Sequence, residues 1–336
     1  MTAITTWTVG KCELYHWVSV LDRFDSILER ACSTTQNAKW QYLVDYSAEL
    51  KELVLGILNF TALLIEYSCS RHIYGSIDHI ITLLCVADLD VTLSVLNLLY
   101  VFSKRSTFLT RLNTEKRQTL HQRLEGLAES WGGKDNGFGL AECCDANFAV
   151  SQRSATTLHF EFRVEDAVSN KIESIYVDNI SKFDEPVGKI MESLLEMYPK
   201  LPADKHMALY TRLRLAHSFG SSVDRLKCVQ VRLHAISVLV FLSSAEGSMA
   251  SVLYPGFVEE IVDLLKLSGD VANLIEIKAA ALRTLTSIVH FDCPPRLSII
   301  IEATGSSEYH GFLPSLIRNC IAAMTSQSSG QAGVSP

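Results

Sequence analysis

The sequence predicts an all-α protein, an armadillo/HEAT-like helical solenoid with a small β-hairpin insertion. Three observations carry that expectation. Apolar residues recur at spacings of three and four along most of the chain. One segment, 91–103, is apolar on nearly every side, and a helix without a polar face has to sit between neighbours, as the helices of a stack do. An internal repeat is the third: Ile77, Ile80, Ile81, Leu83 and Leu84 line up with Val258, Ile261, Val262, Leu264 and Leu265. Each group leads through a polar turn into a longer helix. Arg232-Leu233-His234-Ala235-Ile236 also recurs 46 residues on, as Lys278-Ala279-Ala280-Ala281-Leu282, a period of the armadillo or HEAT kind.

The elements follow in order. A first helix presents Leu14, Trp17, Val18, Leu21, Phe24, Ile27 and Leu28 on one face. Residues 48–68 make a second, largely apolar helix, 77–86 a third and 91–103 a fourth. After a Gly-rich excursion, Leu158, Phe160 and Phe162 alternate with His159 and Glu161, the period of a half-buried strand. The β-branched run Ile172 to Val177 offers a partner across a polar turn at Glu165 to Asn170. A lone hairpin is marginal in water, so this one is expected to lie against the helices. Asp184 and Glu185 before Pro186 mark a helix start. Helices are then expected near 186–198, 203–218, 223–243, 246–253, 257–266, 274–290 and 310–324. The chain therefore divides into N-terminal helical repeats ending in the Gly-rich loop (8–144), a hairpin insertion (154–180), C-terminal helical repeats (184–324) and a low-complexity tail (325–336) expected to be disordered.

With 48% hydrophobic and 20% charged residues over 336 positions, the chain can bury a substantial core. Its best apolar run, Leu53 to Ile65, is shorter than a membrane span and holds Asn59 and Thr61, so it reads as a buried helix. The opening residues lack the basic and apolar regions of a signal peptide, which points to the cytoplasm and nucleus. A net charge of −7 favours solubility and argues against nucleic acid as the main partner. Nine scattered cysteines, an odd number with no CxxC, signal neither a disulfide framework nor a zinc site.

Few constellations invite chemistry. Cys143-Cys144 beside Glu142 has no nearby histidine and no metal-ligand spacing, so an inert role is expected. The histidines show no HExxH and no carboxylate pairing. Gly132-Gly133-Lys134-Asp135 departs from a phosphate-binding loop, because Asp follows the lysine and a helix precedes the segment. Two readings of that excursion stay open: a partner-contact loop presenting Trp131, Lys134 and Phe138, or a turn-rich connection whose aromatics plug the solenoid surface. The stretch Lys104 to Arg123 holds Lys104, Arg105, Arg111, Lys116, Arg117 and Arg123 against Glu115. It is either a dock for an acidic protein tail or nucleic-acid backbone, or a solvated helix surface. No cofactor, metal or small-molecule substrate is expected.

Several blocks of the sequence resemble one family. They include Gly10-Lys11-Cys12-Glu13-Leu14-Tyr15-His16-Trp17, Leu58-Asn59-Phe60-Thr61-Ala62-Leu63-Leu64-Ile65-Glu66-Tyr67-Ser68 and Ser154-Ala155-Thr156-Thr157-Leu158-His159-Phe160-Glu161-Phe162. Arg232 to Ser237, Leu282 to His290 and Tyr309 to Pro314 add to them. The family is the Mule, or ARF-binding-protein, group of giant HECT-type E3 ubiquitin-protein ligases that also carry UBA and WWE domains, and the likeness is to its N-terminal armadillo-like region. The resemblance implies that the chain is a fragment or truncated product of such a ligase, since family sequence extends beyond both ends. The implied role is a non-catalytic scaffold and substrate-recruiting segment in protein ubiquitination. Its partners would be protein substrates and the rest of the ligase solenoid, with no membrane. A stand-alone armadillo-like adaptor without ligase activity is the alternative. The HECT domain has no counterpart here, so the chain alone should be inactive. Incubated with ubiquitin, activating and conjugating enzymes, it is expected to form no adduct on a non-reducing gel; a band removed by reductant would reveal a reactive cysteine among the nine.

Overall fold

The computed structural model describes residues 11–37, 41–67, 77–105, 109–128, 157–166, 169–178, 185–217, 222–246, 257–266 and 274–291. The Gly-rich excursion, the helices expected at 246–253 and 310–324 and the tail 325–336 lie outside them, apart from Glu246, which ends a longer helix.

Helix α1 spans Lys11–Gln36, α2 Ala48–Tyr67, α3 Ile77–Leu83, α4 Leu89–Arg105 and α5 Thr114–Ala128. Strands β1 (Thr157–Asp166) and β2 (Ser169–Asp178) follow, then α6 (Val187–Met197), α7 (Ala203–His217), α8 (Ser222–Glu246), α9 (Phe257–Lys266) and α10 (Leu274–Phe291). Side chains set several starts. Ser47 Oγ accepts from the Leu50 N–H at 3.3 Å, Asp88 Oδ1 from Asp90 and Val91 at 2.9 and 3.2 Å, and Asn113 Oδ1 from Lys116 at 2.9 Å. Each relieves a donor that an N-terminal turn leaves open. By contrast, Pro186 occupies the cap of α6, where no side chain caps the helix, although its preset φ suits the turn.

The helices stack in two rows. In the first row α2 packs on α4, α4 on α8 and α8 on α10; in the second, α1 packs on α3, α3 on α5 and α5 on α7. Between the rows α1 meets α2, α3 meets α4, α5 meets α8 and α9 meets α10. This is the expected helical solenoid, and it explains both repeats. The matched groups at 77 and 258 lie in α3 and α9, each preceding a first-row helix, while the pair 46 residues apart lies on the adjacent helices α8 and α10.

Helix α8 is the centre of the packing. From Leu226 to Ser243 every residue is buried except Lys227 and His234. That stretch is long and apolar enough to cross a membrane, which corrects the expectation that no run reaches such a length. The pattern was hidden by Lys227, Gln230, Arg232 and His234. In the fold it is buried inside the protein, against α4, α5, α7 and α10. Its polar Ser237 meets Thr284 of α10 at 3.1 Å, and both hydroxyls also reach the Leu233 carbonyl, so neither is left unpaired.

The hairpin is longer than expected, pairing from Thr157↔Asp178 to Asp166↔Ser169, so the polar ends of the expected turn belong to the ladder. Phe160, Phe162, Val164, Ile175 and Val177 are buried. Strand β1 rests on α7, where the Arg212 guanidinium lies 4.8 Å from the Phe160 ring centre. Val18 departs from the expected face of α1: at 37% exposed it points outward, while Trp17 and Phe24 pack on Phe60 of α2.

Two helical glycines give a matched test. A Cβ at Gly56 would meet nothing within 4 Å, whereas one at Gly126 would lie 3.0 Å from Met207 Cβ, where α5 and α7 approach closely. Gly56→Ala is expected to stabilise the fold by about 0.5–1 kcal/mol through lost unfolded-state freedom. Gly126→Ala is expected to destabilise it by about 1 kcal/mol or more through overpacking. Urea unfolding of both variants checks the pair; equal gains would mean that α5 and α7 stand apart.

Candidate functional site

The two exceptions on α8, Lys227 and His234, lie seven residues apart and so share one face of the helix. The neighbouring stripe of α4 runs through Asp90, Ser94, Asn97, Tyr100 and Lys104, none of them buried. Together these positions form an open polar face on the first row.

At one end of the face four charges tie three helices. Lys51 Nζ of α2 lies 2.6 Å from Asp88 Oδ2 and 3.0 Å from Asp90 Oδ2, and Lys227 Nζ of α8 lies 2.6 Å from Asp90 Oδ1. Burial works to raise the Asp90 pKa, but hydrogen bonds from Lys227 and Lys51 outweigh it and hold the carboxyl below its ordinary value. Lys51 is the converse: burial opposes its charge, and the hydrogen bonds it donates to Asp88 and Asp90 raise it nonetheless. At the other end Arg283 of α10 donates to Asn97 Oδ1 at 2.8 Å and stands 5.2 Å from the Tyr100 ring centre. Burial raises the Tyr100 phenol, with Arg283 opposing and Glu66 adding to the shift. His234 lies close enough to feel Arg283. Burial and then that cation push its pKa down to about 4, so the ring is neutral at pH 7.

The structure disperses the expected contact residues. Lys104 is exposed at the end of the α4 stripe, and Arg111 is exposed at the end of the short 3-10 turn Leu109–Arg111. Arg105 closes α4. Trp131, Lys134 and Phe138 lie outside the described residues, as do Cys143 and Cys144. Elsewhere in the basic stretch, Lys116 pairs with Asp78 at 2.8 Å and Arg123 donates to Gln41 at 3.3 Å, so both bind within the fold. Reading the sequence missed Lys51, Asp88, Asp90, Asn97, Lys227, His234 and Arg283 as one group. It also missed one His–carboxylate pair, His121 Nδ1 and Glu125 Oε2 at 3.5 Å, an i,i+4 contact on α5.

Among the described residues no group of three or more His, Cys, Asp or Glu could hold a metal. Burial pushes the thiols of Cys32 and Cys85 up to about 12 and about 11, away from the thiolate a nucleophile needs. Cys32 donates to the His79 carbonyl at 3.4 Å.

A stacked helical solenoid whose central helix leaves only a polar strip uncovered is the class of protein that this fold and face define. The family model described as "Domain of Unknown Function (DUF908)" matches residues 49–173 and 161–322, and the chain belongs to that family. It is 54% identical over 337 residues to the E3 ubiquitin-protein ligase HUWE1 of Mus musculus, a match covering 97% of this chain and 8% of the relative. It is 28% identical over 326 residues to the E3 ubiquitin-protein ligase UPL1 of Arabidopsis thaliana (94% of this chain, 9% of the relative) and 24% identical over 350 residues to the E3 ubiquitin-protein ligase TOM1 of Saccharomyces cerevisiae (94% and 10%). The chain thus spans less than a tenth of the first two relatives' length. These matches bear out the resemblance read from the sequence blocks.

His234 supplies a pH test. Its folded pKa lies below the ordinary 6.5, so the stability of the neutral ring is complete above that pH and is lost as pH falls toward 4. By pH 5 the loss is expected to be about 2 kcal/mol by linkage. Urea midpoints at pH 7 and pH 5 should show a fall in the parent chain that His234→Gln reduces; equal falls would mean that the ring is solvated.

Proposed function

We propose that this chain is a non-catalytic scaffold and protein-recruiting solenoid segment of a HECT-type E3 ubiquitin ligase, acting in protein ubiquitination in the cytoplasm and nucleus. One observation carries the reading. From Leu226 to Ser243 the central helix is buried except where Lys227 and His234 meet a face of paired charges, an amide and a stacked arginine. Such a surface suits directional contact with polar protein groups. The ligase relatives, which align along nearly the whole chain, supply the setting. Through the same face or its stacked ends the segment would hold protein substrates or neighbouring parts of the ligase solenoid, while ubiquitin transfer would take place in another domain.

The test is made in the full-length ligase. Ser94→Arg and Thr286→Arg place bulk at positions of α4 and α10 that are not buried, leaving the core intact. Ubiquitination of a subset of substrates should fall by about threefold or more, as truncation of interface anchors does, while the ligase's own ubiquitin thioester forms at the normal rate. Unchanged ubiquitination across all substrates would overturn the recruiting role.

A further inference from the structure

The charges on the open face are unevenly satisfied. Lys51 and Lys227 meet Asp88 and Asp90, so that end of the face is neutralised within the fold. The end around Arg283 is different. Of the five N–H donors of a guanidinium, one is directed to Asn97 Oδ1 at 2.8 Å, and among the described residues no carboxylate forms an ion pair with Arg283. Its plane is held by Tyr100, 5.2 Å away. Lys104 follows Tyr100 by one helical turn, about 6 Å along the same stripe. It is exposed, and no acid among the described residues pairs with it. His234, beside Arg283, is neutral at pH 7 and adds no charge. Glu66 of α2 is the acid whose charge reaches Tyr100.

We propose that Arg283 and Lys104 form a carboxylate-binding subsite that receives an extended acidic segment of a protein partner. The planar fork of arginine matches a carboxylate in a two-pronged contact. Here the Tyr100 ring and the Asn97 amide fix the guanidinium in advance, so little freedom is lost on binding. Alternate residues of an extended chain point to one side about 7 Å apart, which lets a second carboxylate reach Lys104 when the first sits on Arg283. A chain with net charge −7 repels acidic partners elsewhere, so this corner sets both the place and the register of contact. The subsite deepens the recruiting function and rests on it.

Fluorescence anisotropy of a fluorescein-labelled peptide of alternating glutamate and serine, titrated with the whole chain at physiological salt, tests the subsite. Arg283→Gln is expected to weaken binding about tenfold or more, and Arg283→Lys several-fold, because charge survives but the fork does not. Lys104→Ala, an exposed change that leaves packing alone, should weaken it about threefold. Lys189→Gln on the exposed side of α6 should leave it unchanged. Failure of the peptide to bind, or equal binding by the Arg283→Gln and Lys104→Ala variants, overturns the proposal. So does tighter binding of oligouridylate with the same Arg283 dependence, which would assign the corner to nucleic acid. Peptide binding with unaltered ubiquitination in the full-length Ser94→Arg and Thr286→Arg variants would keep the subsite and overturn the recruiting role. Altered ubiquitination without peptide binding would do the reverse.

Discussion

Helix α8 has to be covered on every side but one, and the arrangement of the rest of the chain follows from that demand. Val229, Leu233, Ile236, Val238, Leu239, Val240 and Leu242 are all buried, and positions so spaced cover more than half of the turn of a helix. Each such side chain contributes roughly 1.5–3 kcal/mol when removed from water, so leaving even one flank open would forfeit a sizeable part of a domain's net stability, about 5–15 kcal/mol. Two first-row helices, α4 and α10, pack on it, and so do α5 and α7 of the second row. What remains is the strip through Lys227 and His234. The polar face is therefore the remainder of a packing problem, the side of α8 where Lys227 and His234 are partly rather than fully covered among the described residues.

The same demand accounts for the insertion. Helices α5 and α8 form one stacked pair although the hairpin, α6 and α7 come between them in sequence. Lengthening a connection costs only about 0.6 kcal/mol per doubling, small against the area that α8 buries. The inserted elements are themselves anchored. Helix α7 packs on α5 closely enough that Gly126 is needed at the contact, and Tyr42 ahead of α2 stacks on Tyr210 at 4.8 Å. The hairpin then gains from α7 the apolar support that two strands alone lack.

Much of this was legible in the residues. Periodicity identifies a buried face, and it found α1 without its last two turns and placed α2 through α4 and α6 through α10 within a few residues; alternation did the same for the two strands. The repeats were legible because equivalent helices meet equivalent neighbours. Periodicity does not say which neighbour covers a face, so the pairing of α5 with α8 was hidden. The site was hidden for a related reason: Arg283 and Asn97 are 186 positions apart, and Lys227 and Asp90 are 137 apart. Neither pair leaves a local motif. Lys104 was visible because it belongs to a basic cluster, yet that cluster does not act as a unit once Lys116 and Arg123 turn to partners on α3 and the turn before α2.

The two ends of the open face also differ in what they do for the fold. Asp88 both caps α4 and pairs with Lys51, and Asp90 holds Lys51 and Lys227 at once, so that removing Asp90 would leave cations of two helices facing each other. Such part-buried networks act mainly through the penalty for breaking them, because each remaining charge has already lost water. This end therefore fixes how α2, α4 and α8 are aligned. At the far end Arg283 bridges α10 to α4 through an amide and an aromatic ring, both neutral. The bridge aligns the helices without cancelling the charge. One end of the face thus locks the stack and the other holds a positioned cation, a division that a stacked fold can sustain because the two ends sit on different turns of α4.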